Sequence, residues 1–202
     1  MSIRRTLEFE ADGSADAGPV QLPFHGRSEA LSRLKHYVLR CEMEAPVAVE
    51  QVFRVFEDPY NLARITPPWL SFRVMNRERV AMRRGAEINY TIRWLGLPIR
   101  WKTLISDYRP PLVFVDTQEK GPYVWWHHTH AFVPVEGGTR VTDEVRYILP
   151  LGAMGQAAHA LMVGRQLKQI FEYRQKTLPA LIGGDLARYR MSGVRIAVEQ
   201  QV

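Results

Sequence analysis

Cysteine is nearly absent: Cys41 stands alone among 202 residues. A single thiol excludes any intrachain disulfide and any multi-cysteine metal cluster, and it fits a reducing, cytoplasmic compartment. Long apolar runs are missing as well. None approaches the ~18 residues that a bilayer-spanning helix needs, which leaves peripheral contact with a membrane or a protein as the most to expect. The opening stretch "MSIRRTLEFEADGSADAG" has Arg4 and Arg5 but no apolar segment behind them, which argues against a secretory or twin-arginine signal. Basic residues outnumber acidic ones, 27 against 21 for a formal charge of +6, yet they are scattered among the acids. No basic arm is present, and no nucleic-acid partner is expected.

Hydrophobic residues make up 46% of the chain, enough for one proper core. Gly, Ala, Ser, Asp and Pro crowd residues 11–28. Residues 1–35 are therefore expected to form a mobile leader, residues 36–184 the folded domain, and residues 185–202 a tail without assigned structure. In "HYVLRCEME" the residues Tyr37, Leu39, Cys41 and Met43 alternate with polar neighbours, the pattern of a half-buried strand. Val49, Val52, Phe53 and Phe56 then recur at helical spacing until Asp58-Pro59, and "YNLARITPPW" predicts a second short helix or turn. Beyond Pro67-Pro68 the period becomes two. Strands are predicted around Leu70 to Val74, Ile88 to Trp94 and Ile99 to Ile105, and in "LVFVDTQ", "YVWWHHTHAFVPV" and "TRVTDEVRYIL".

From Met154 to about Leu181 the pattern is helical again. Ala157, Ala160, Gly164, Leu167, Phe171, Arg174 and Leu178 step by three and four along one stripe, small at first and large later. Small residues facing a sheet cannot close against it at ordinary packing density, so a hollow is expected beneath Ala157, Ala160 and Gly164.

The stretch "WWHHTH", residues 125–130, is the densest chemical feature. Taking Gly137-Gly138 as a two-residue turn, with Glu136 opposite Thr139, places Phe132 opposite Asp143, His130 opposite Val145 and His128 opposite Tyr147. Opposed residues share a sheet face. Trp126, His128, His130 and Phe132 then point inward with Asp143 and Tyr147, while Trp125, His127 and Thr129 point outward. His130 and Asp143 become diagonal neighbours. Several uses stay open for this group. His128, His130 and Asp143 have the chemistry to ligate a metal, but no further ligand cluster is visible and no metal is assigned. An imidazole tuned by a carboxylate in an apolar cavity is competent for acid–base work, which makes His130 and Asp143 catalytic candidates, although no Ser or Cys nucleophile constellation accompanies them. The same groups could satisfy one another behind the sheet, or fix the polar end of a ligand. Arg174, on the apolar stripe, is either a snorkelling side chain or a partner for an anionic head group.

The order strand, two helices, run of strands and closing helix, together with "EAPVAVEQVFRVFEDPYNLARITPP" and "EKGPYVWWHHTHAFVPVEGGTRVTDEVRYILPLG", resembles the START-like, or SRPBCC, superfamily. Within it the chain is similar to the ligand-binding branch near polyketide cyclase/dehydrase and coenzyme Q-binding proteins, over roughly His36 to Gly184. The resemblance implies an α+β helix-grip fold: a curved antiparallel sheet of about seven strands around a long C-terminal helix, with two short helices after the first strand and a deep cavity between sheet and helix. It implies a hydrophobic small-molecule partner, such as a lipid, quinone or polyketide, carried or sensed without a cofactor. Cyclase or dehydratase chemistry by a His/Asp pair in the same cavity is the alternative. Contacts to the ligand would come from Trp69, Phe72, Tyr90 and Trp101 on the first strands. The histidine hairpin would add Trp126, His128, His130, Phe132, Asp143 and Tyr147, and the closing helix Ala160, Gly164, Leu167 and Phe171. The superfamily's metal-dependent dioxygenases require a Rieske domain with paired Cys and His ligands, which one cysteine rules out.

Overall fold

Alternation in "HYVLRCEMEA" produces strand β1 (His36–Ala45), whose Tyr37, Leu39, Cys41 and Met43 are buried while Arg40 and Glu42 are exposed. The computed structural model describes residues 34–94 and 96–199, so the leader expected over residues 1–35 lies, but for its last two residues, outside the described residues. Helix α1 (Val49–Glu57) follows, and its buried face is Val49, Val52, Phe53 and Phe56. It stops because Pro59 disfavours helical backbone at Asp58, whose carboxylate instead accepts from the Tyr60 amide at 3.0 Å. A single turn, α2 (Leu62–Ile65), ends in the same way at Thr66, before Pro67-Pro68.

The strand expected around Leu70 to Val74 is largely a turn: Pro68–Leu70 is a 3-10 segment, Ser71 has φ 46°, and only β2 (Arg73–Val74) is extended. Two consecutive prolines withhold the amides a ladder would need. The remaining strands form where the period of two is clean: β3 (Glu87–Trp94), β4 (Leu97–Arg109), β5 (Val113–Lys120), β6 (Trp125–Val135) and β7 (Gly138–Ile148). They pair in the order β2-β3-β4-β5-β6-β7-β1, antiparallel throughout. Register shifts between Lys102 and Thr103 and between Ile105 and Asp107 place bulges in β4, and bulges bend a strand and increase its twist.

The tail adds strands where the sequence carries no assignable pattern. Here β8 (Arg190–Met191) pairs with Met43 and Glu44, and β9 (Arg195–Val198) with Tyr37 to Arg40, so both cover the outer edge of β1. Among the described residues the sheet therefore has nine strands rather than about seven.

The closing helix is interrupted. Helix α3 (Gly152–Ala158) runs into a π-helical turn over His159–Val163 before α4 (Gly164–Ile182). A π turn inserts one extra residue and rotates everything before it. The inward stripe consequently steps five residues, from half-buried Ala158 to buried Val163, and then regains spacings of four and three through Leu167, Phe171, Arg174 and Leu178. This corrects the expected face: Ala157 and Ala160 are exposed, and Gly155 is the small buried residue of α3. A Cβ on Gly155 would run into the Pro150 carbonyl oxygen, so only glycine permits that approach.

Three apolar clusters fill the described domain, the smallest being Ala86, Ile88 and Ile105. Of the two larger, one gathers Phe53 and Phe56 with Phe132, Val141, Leu178 and Ile182. The other gathers Leu39, Trp126, Val145 and Tyr147 with Val163, Leu167 and Phe171. Among the described residues no helix is long and apolar enough to cross a membrane.

Candidate functional site

The β6–β7 hairpin turns one pair earlier than the Gly-Gly dipeptide suggests. Val135 opposes Gly138, and Glu136-Gly137 are the turn residues, with Gly137 at φ 78°. A positive φ at the second turn position is what glycine supplies at no steric cost. The correction to the register is two residues. Two is even, so every side chain keeps its expected face while its partner changes. His130 stands directly opposite Asp143 instead of diagonal to it, His128 opposes Val145, and Trp126 opposes Tyr147.

On the other side of β6, His128 opposes Asp116 and His130 opposes Phe114 of β5. Two carboxylates therefore flank two imidazoles across three neighbouring strands. Asp143 Oδ1 lies 2.7 Å from His130 Nδ1 and 3.1 Å from His128 Nε2. Asp116 Oδ2 lies 3.0 Å from His130 Nε2 and 3.3 Å from His128 Nδ1. The His130 Nδ1 contact is short but off the line that a hydrogen bond requires. The imidazole centroids are 3.8 Å apart, with Phe114 stacked on His130 at 4.2 Å and Phe171 edge-on to His128 at 5.5 Å.

Electrostatics follow from this packing. Burial alone would push both carboxyls up, but His128 and His130 outweigh it, and Asp116 and Asp143 are both held below the usual carboxylate range. Burial disfavours a charged His128, yet Asp116 and Asp143 together overcome that cost and raise its pKa. The Tyr90 and Tyr123 phenols are pushed up by burial and stay neutral.

The group forms the polar floor of a cavity of about 380 Å³ between the inner face of the sheet and the helices α1 to α4. That volume is in the range of small-molecule sites. Its walls are apolar: Ile88, Tyr90, Ile92 and Trp101 from β3 and β4, Trp126 from β6, and Leu167 and Phe171 from α4. Arg174 also faces it. Arg174 is 8% exposed, its guanidinium carbon sits 4.8 Å over the Phe171 ring, its Nε has no hydrogen-bond partner, and among the described residues it forms no ion pair.

Of the residues expected from the sequence, Phe72, Tyr90, Trp101, Trp126, His128, His130, Leu167 and Phe171 line this cavity. The others are placed elsewhere. Trp69 is 48% exposed on the 3-10 turn, and Ala160 is exposed because of the π turn. Phe132 packs against Phe53 and Phe56 in the core. Gly164 is buried against the His159 ring. Asp143 sits behind the two histidines, and the Tyr147 hydroxyl meets His159 Nε2 at 2.7 Å. Asp116 is the site residue that sequence reasoning missed. It lies in "LVFVDTQ", whose unbroken apolar start gives no face, and only its alternation with Phe114 hints that both point inward.

The family described as polyketide cyclase/dehydrase and lipid transport matches residues 45–172, more than half of the chain. Solved structures share the fold. An aromatase/cyclase, Zhui from Streptomyces sp. R1128, superposes with TM-score 0.59 at 12% identity, covering 73% of this chain and 93% of its own. TTHA0849 from Thermus thermophilus superposes with TM-score 0.58 at 21% identity, over 72% and 96%. CV1439 from Chromobacterium violaceum gives 0.57 at 18%, over 73% and 98%. No curated protein matches the chain.

Proposed function

Because the chain belongs to the polyketide cyclase/dehydrase and lipid transport family, we propose that it binds a hydrophobic small molecule bearing one oxygen-rich, anionic end, and acts as its carrier or sensor. The observation that carries this reading is the division of the cavity. Apolar walls from β3, β4 and α4 enclose a small set of charged or titratable groups, His128, His130, Asp116 and Arg174. Burial of the ligand's apolar body at about 25 cal/mol per Å² supplies the driving force, and the polar end fixes orientation. An unpaired buried guanidinium selects a carboxylate or enolate oxygen, because a neutral end would leave its charge uncompensated. Leu151 and Met154 line the cavity yet are 70% and 68% exposed, which favours peripheral contact with a membrane or protein during loading. A cytoplasmic location, consistent with the lone buried Cys41, belongs to the same proposal.

Native mass spectrometry of the protein made in its own host tests the reading. A copurified apolar acid or enol is the expected result. Ile92→Trp, which fills the cavity from β3, should remove that ligand and abolish uptake of anilinonaphthalene sulfonate while the fold is kept. Equal uptake by wild type and Ile92→Trp would sink the assignment.

A second reading is favoured by the same polar floor. Imidazoles that face a bound chain from the cavity wall are placed to move a proton, as a cyclase or dehydratase requires. Its test is turnover of a poly-carbonyl substrate by wild type and His130→Gln; turnover unchanged in the variant removes the reading.

A further inference from the structure

The four polar groups beneath the cavity leave a charge problem that protons solve poorly. A neutral imidazole has one N–H and one lone pair. His128 Nε2 and His130 Nδ1 both face Asp143 Oδ1, at 3.1 and 2.7 Å. A His130 proton on Nε2 donates to Asp116 Oδ2 at 3.0 Å but turns the Nδ1 lone pair on Asp143 Oδ1 at 2.7 Å, whereas with both protons on the Asp143 side His128 Nδ1 and His130 Nε2 turn lone pairs toward Asp116 Oδ2 at 3.3 and 3.0 Å. Three electron-rich atoms then face one another with nothing positive between them. Two added protons would answer this only by making two imidazolium rings with centroids 3.8 Å apart, in side chains about 5% exposed. Like charges so close in a desolvated site repel strongly. One dication placed among the three atoms satisfies all of them and leaves both rings neutral.

The spacing fits such an ion. Ligand atoms about 2.0–2.1 Å from a metal centre lie roughly 2.8–3.4 Å from one another between octahedral and tetrahedral geometry, a range that contains both Asp116 contacts. Asp116, His128 and His130 each offer one ligand atom, all within 4.8 Å of one another. Asp143 completes the arrangement as the outer carboxylate that accepts from His128 Nε2, lies 2.7 Å from His130 Nδ1 and holds both rings in orientation. The three inner groups line the cavity and Asp143 does not, so any remaining coordination position opens toward the ligand space.

We propose that Asp116, His128 and His130 bind a divalent first-row transition-metal ion of the Fe²⁺, Co²⁺ or Zn²⁺ kind, held in orientation by Asp143 and open on the cavity side. Two imidazoles and a carboxylate are the donor set such ions favour, and the dication balances the two buried carboxylates. The further ligand that the sequence does not reveal is supplied by β5, which brings Asp116 beside the H-x-H of β6.

The test is a titration of chelator-stripped protein with Co²⁺, followed by visible d–d absorbance and by thermal unfolding. Wild type should take up one equivalent and gain thermal stability. Asp116→Ala and His130→Ala should bind at least 100-fold more weakly, Asp143→Asn about 10–100-fold more weakly, and His127→Ala, on the opposite face of β6, as wild type. Circular dichroism of each variant separates lost binding from lost fold. Wild type that shows neither absorbance nor stabilisation overturns the proposal, whatever the variants do; so does a folded Asp116→Ala that binds as tightly as wild type. Uptake of anilinonaphthalene sulfonate is measured on the same stripped protein. Dye uptake without Co²⁺ binding overturns the metal site alone, whereas Co²⁺ binding without dye uptake supports the metal site and removes the apolar-ligand reading.

Discussion

His130 and Asp143 face each other directly across the β6–β7 ladder, with Nδ1 2.7 Å from Oδ1 and both side chains about nine-tenths buried or more. Asp143 is also 3.1 Å from His128 Nε2, so one carboxylate anchors both histidines from behind. Breaking a buried charge pair by deleting one partner costs about 3–5 kcal/mol, because the remaining charge has no substitute for it. Asp143→Ala is expected to destabilise by that amount. Asp116→Ala should cost roughly half as much, since Asp116 borders the cavity, where water can replace it. Urea unfolding with an unchanged slope and shifted midpoint checks both values.

Phe53 lies between α1 and the sheet, with its ring 5.2 Å from Phe132 and 6.0 Å from Phe114, edge-on to each. It belongs to the packed cluster and not to the cavity wall. Phe53→Ala is expected to cost about 3–5 kcal/mol while dye affinity in the folded fraction stays as in wild type. Chemical denaturation and dye titration on the same sample measure the two effects separately.

The fold is legible wherever a period is unbroken. Tyr37 to Met43 on β1, Ile88 to Trp94 on β3 and the α1 face all keep their alternation or helical spacing, and the hairpin differs from its expected register by an even number of residues, so Trp126, His128, His130 and Phe132 keep the inward face. Legibility fails where the backbone departs from its ideal repeat. A five-residue step at His159–Val163 cannot be read from residues that also fit spacings of three and four, which is why Ala160 reads as a buried position. Asp116 is hidden for a different reason. Its neighbours on β6 are fixed by pairing across the 121–124 connection, and that segment carries no two-residue turn signal from which a register could be counted. The short β8 and β9 pair mainly through backbone atoms along the outer edge of β1, and they need little hydrophobic alternation to do so.

Arg174 offers a test of ligand charge. Its guanidinium is buried beside the Phe171 ring, and among the described residues it has no carboxylate partner. Arg174→Met keeps the length and packing of the side chain but removes the charge. Binding of an anionic probe such as oleate should weaken at least tenfold, while a neutral probe such as the corresponding alcohol binds as before. The thermal midpoint of the ligand-free variant should not fall, because a buried unpaired charge is replaced by an apolar group. Isothermal titration with both probes decides it.

The π turn makes a prediction about shape. Deleting Ala160, an exposed residue of that turn, should restore a continuous α-helix and rotate α3 by about 100° relative to α4. Gly155 and Ala158 would then leave the cavity wall. Helical content by circular dichroism should be unchanged, whereas dye affinity should fall several-fold. Retained affinity would mean that α3 does not shape the site.

His159 gives the same segment a pH dependence. Its Nε2 accepts from the Tyr147 hydroxyl at 2.7 Å, and its ring stacks on Tyr37 at 3.8 Å. Burial lowers its pKa below 6.5, so the folded state favours the neutral ring. A protonated ring could no longer accept from Tyr147. The stabilisation is therefore complete above the unfolded pKa of about 6.5. It declines as pH falls through that value and levels off below the folded pKa, where both states carry the proton. Amide hydrogen exchange over residues 152–163 should accelerate, relative to α4, as pH is lowered from about 7.5 to about 5, across the imidazole range, after correction for intrinsic rates. His159→Gln, which does not titrate, should remove that extra acceleration, and its persistence in the variant would assign the effect to another group.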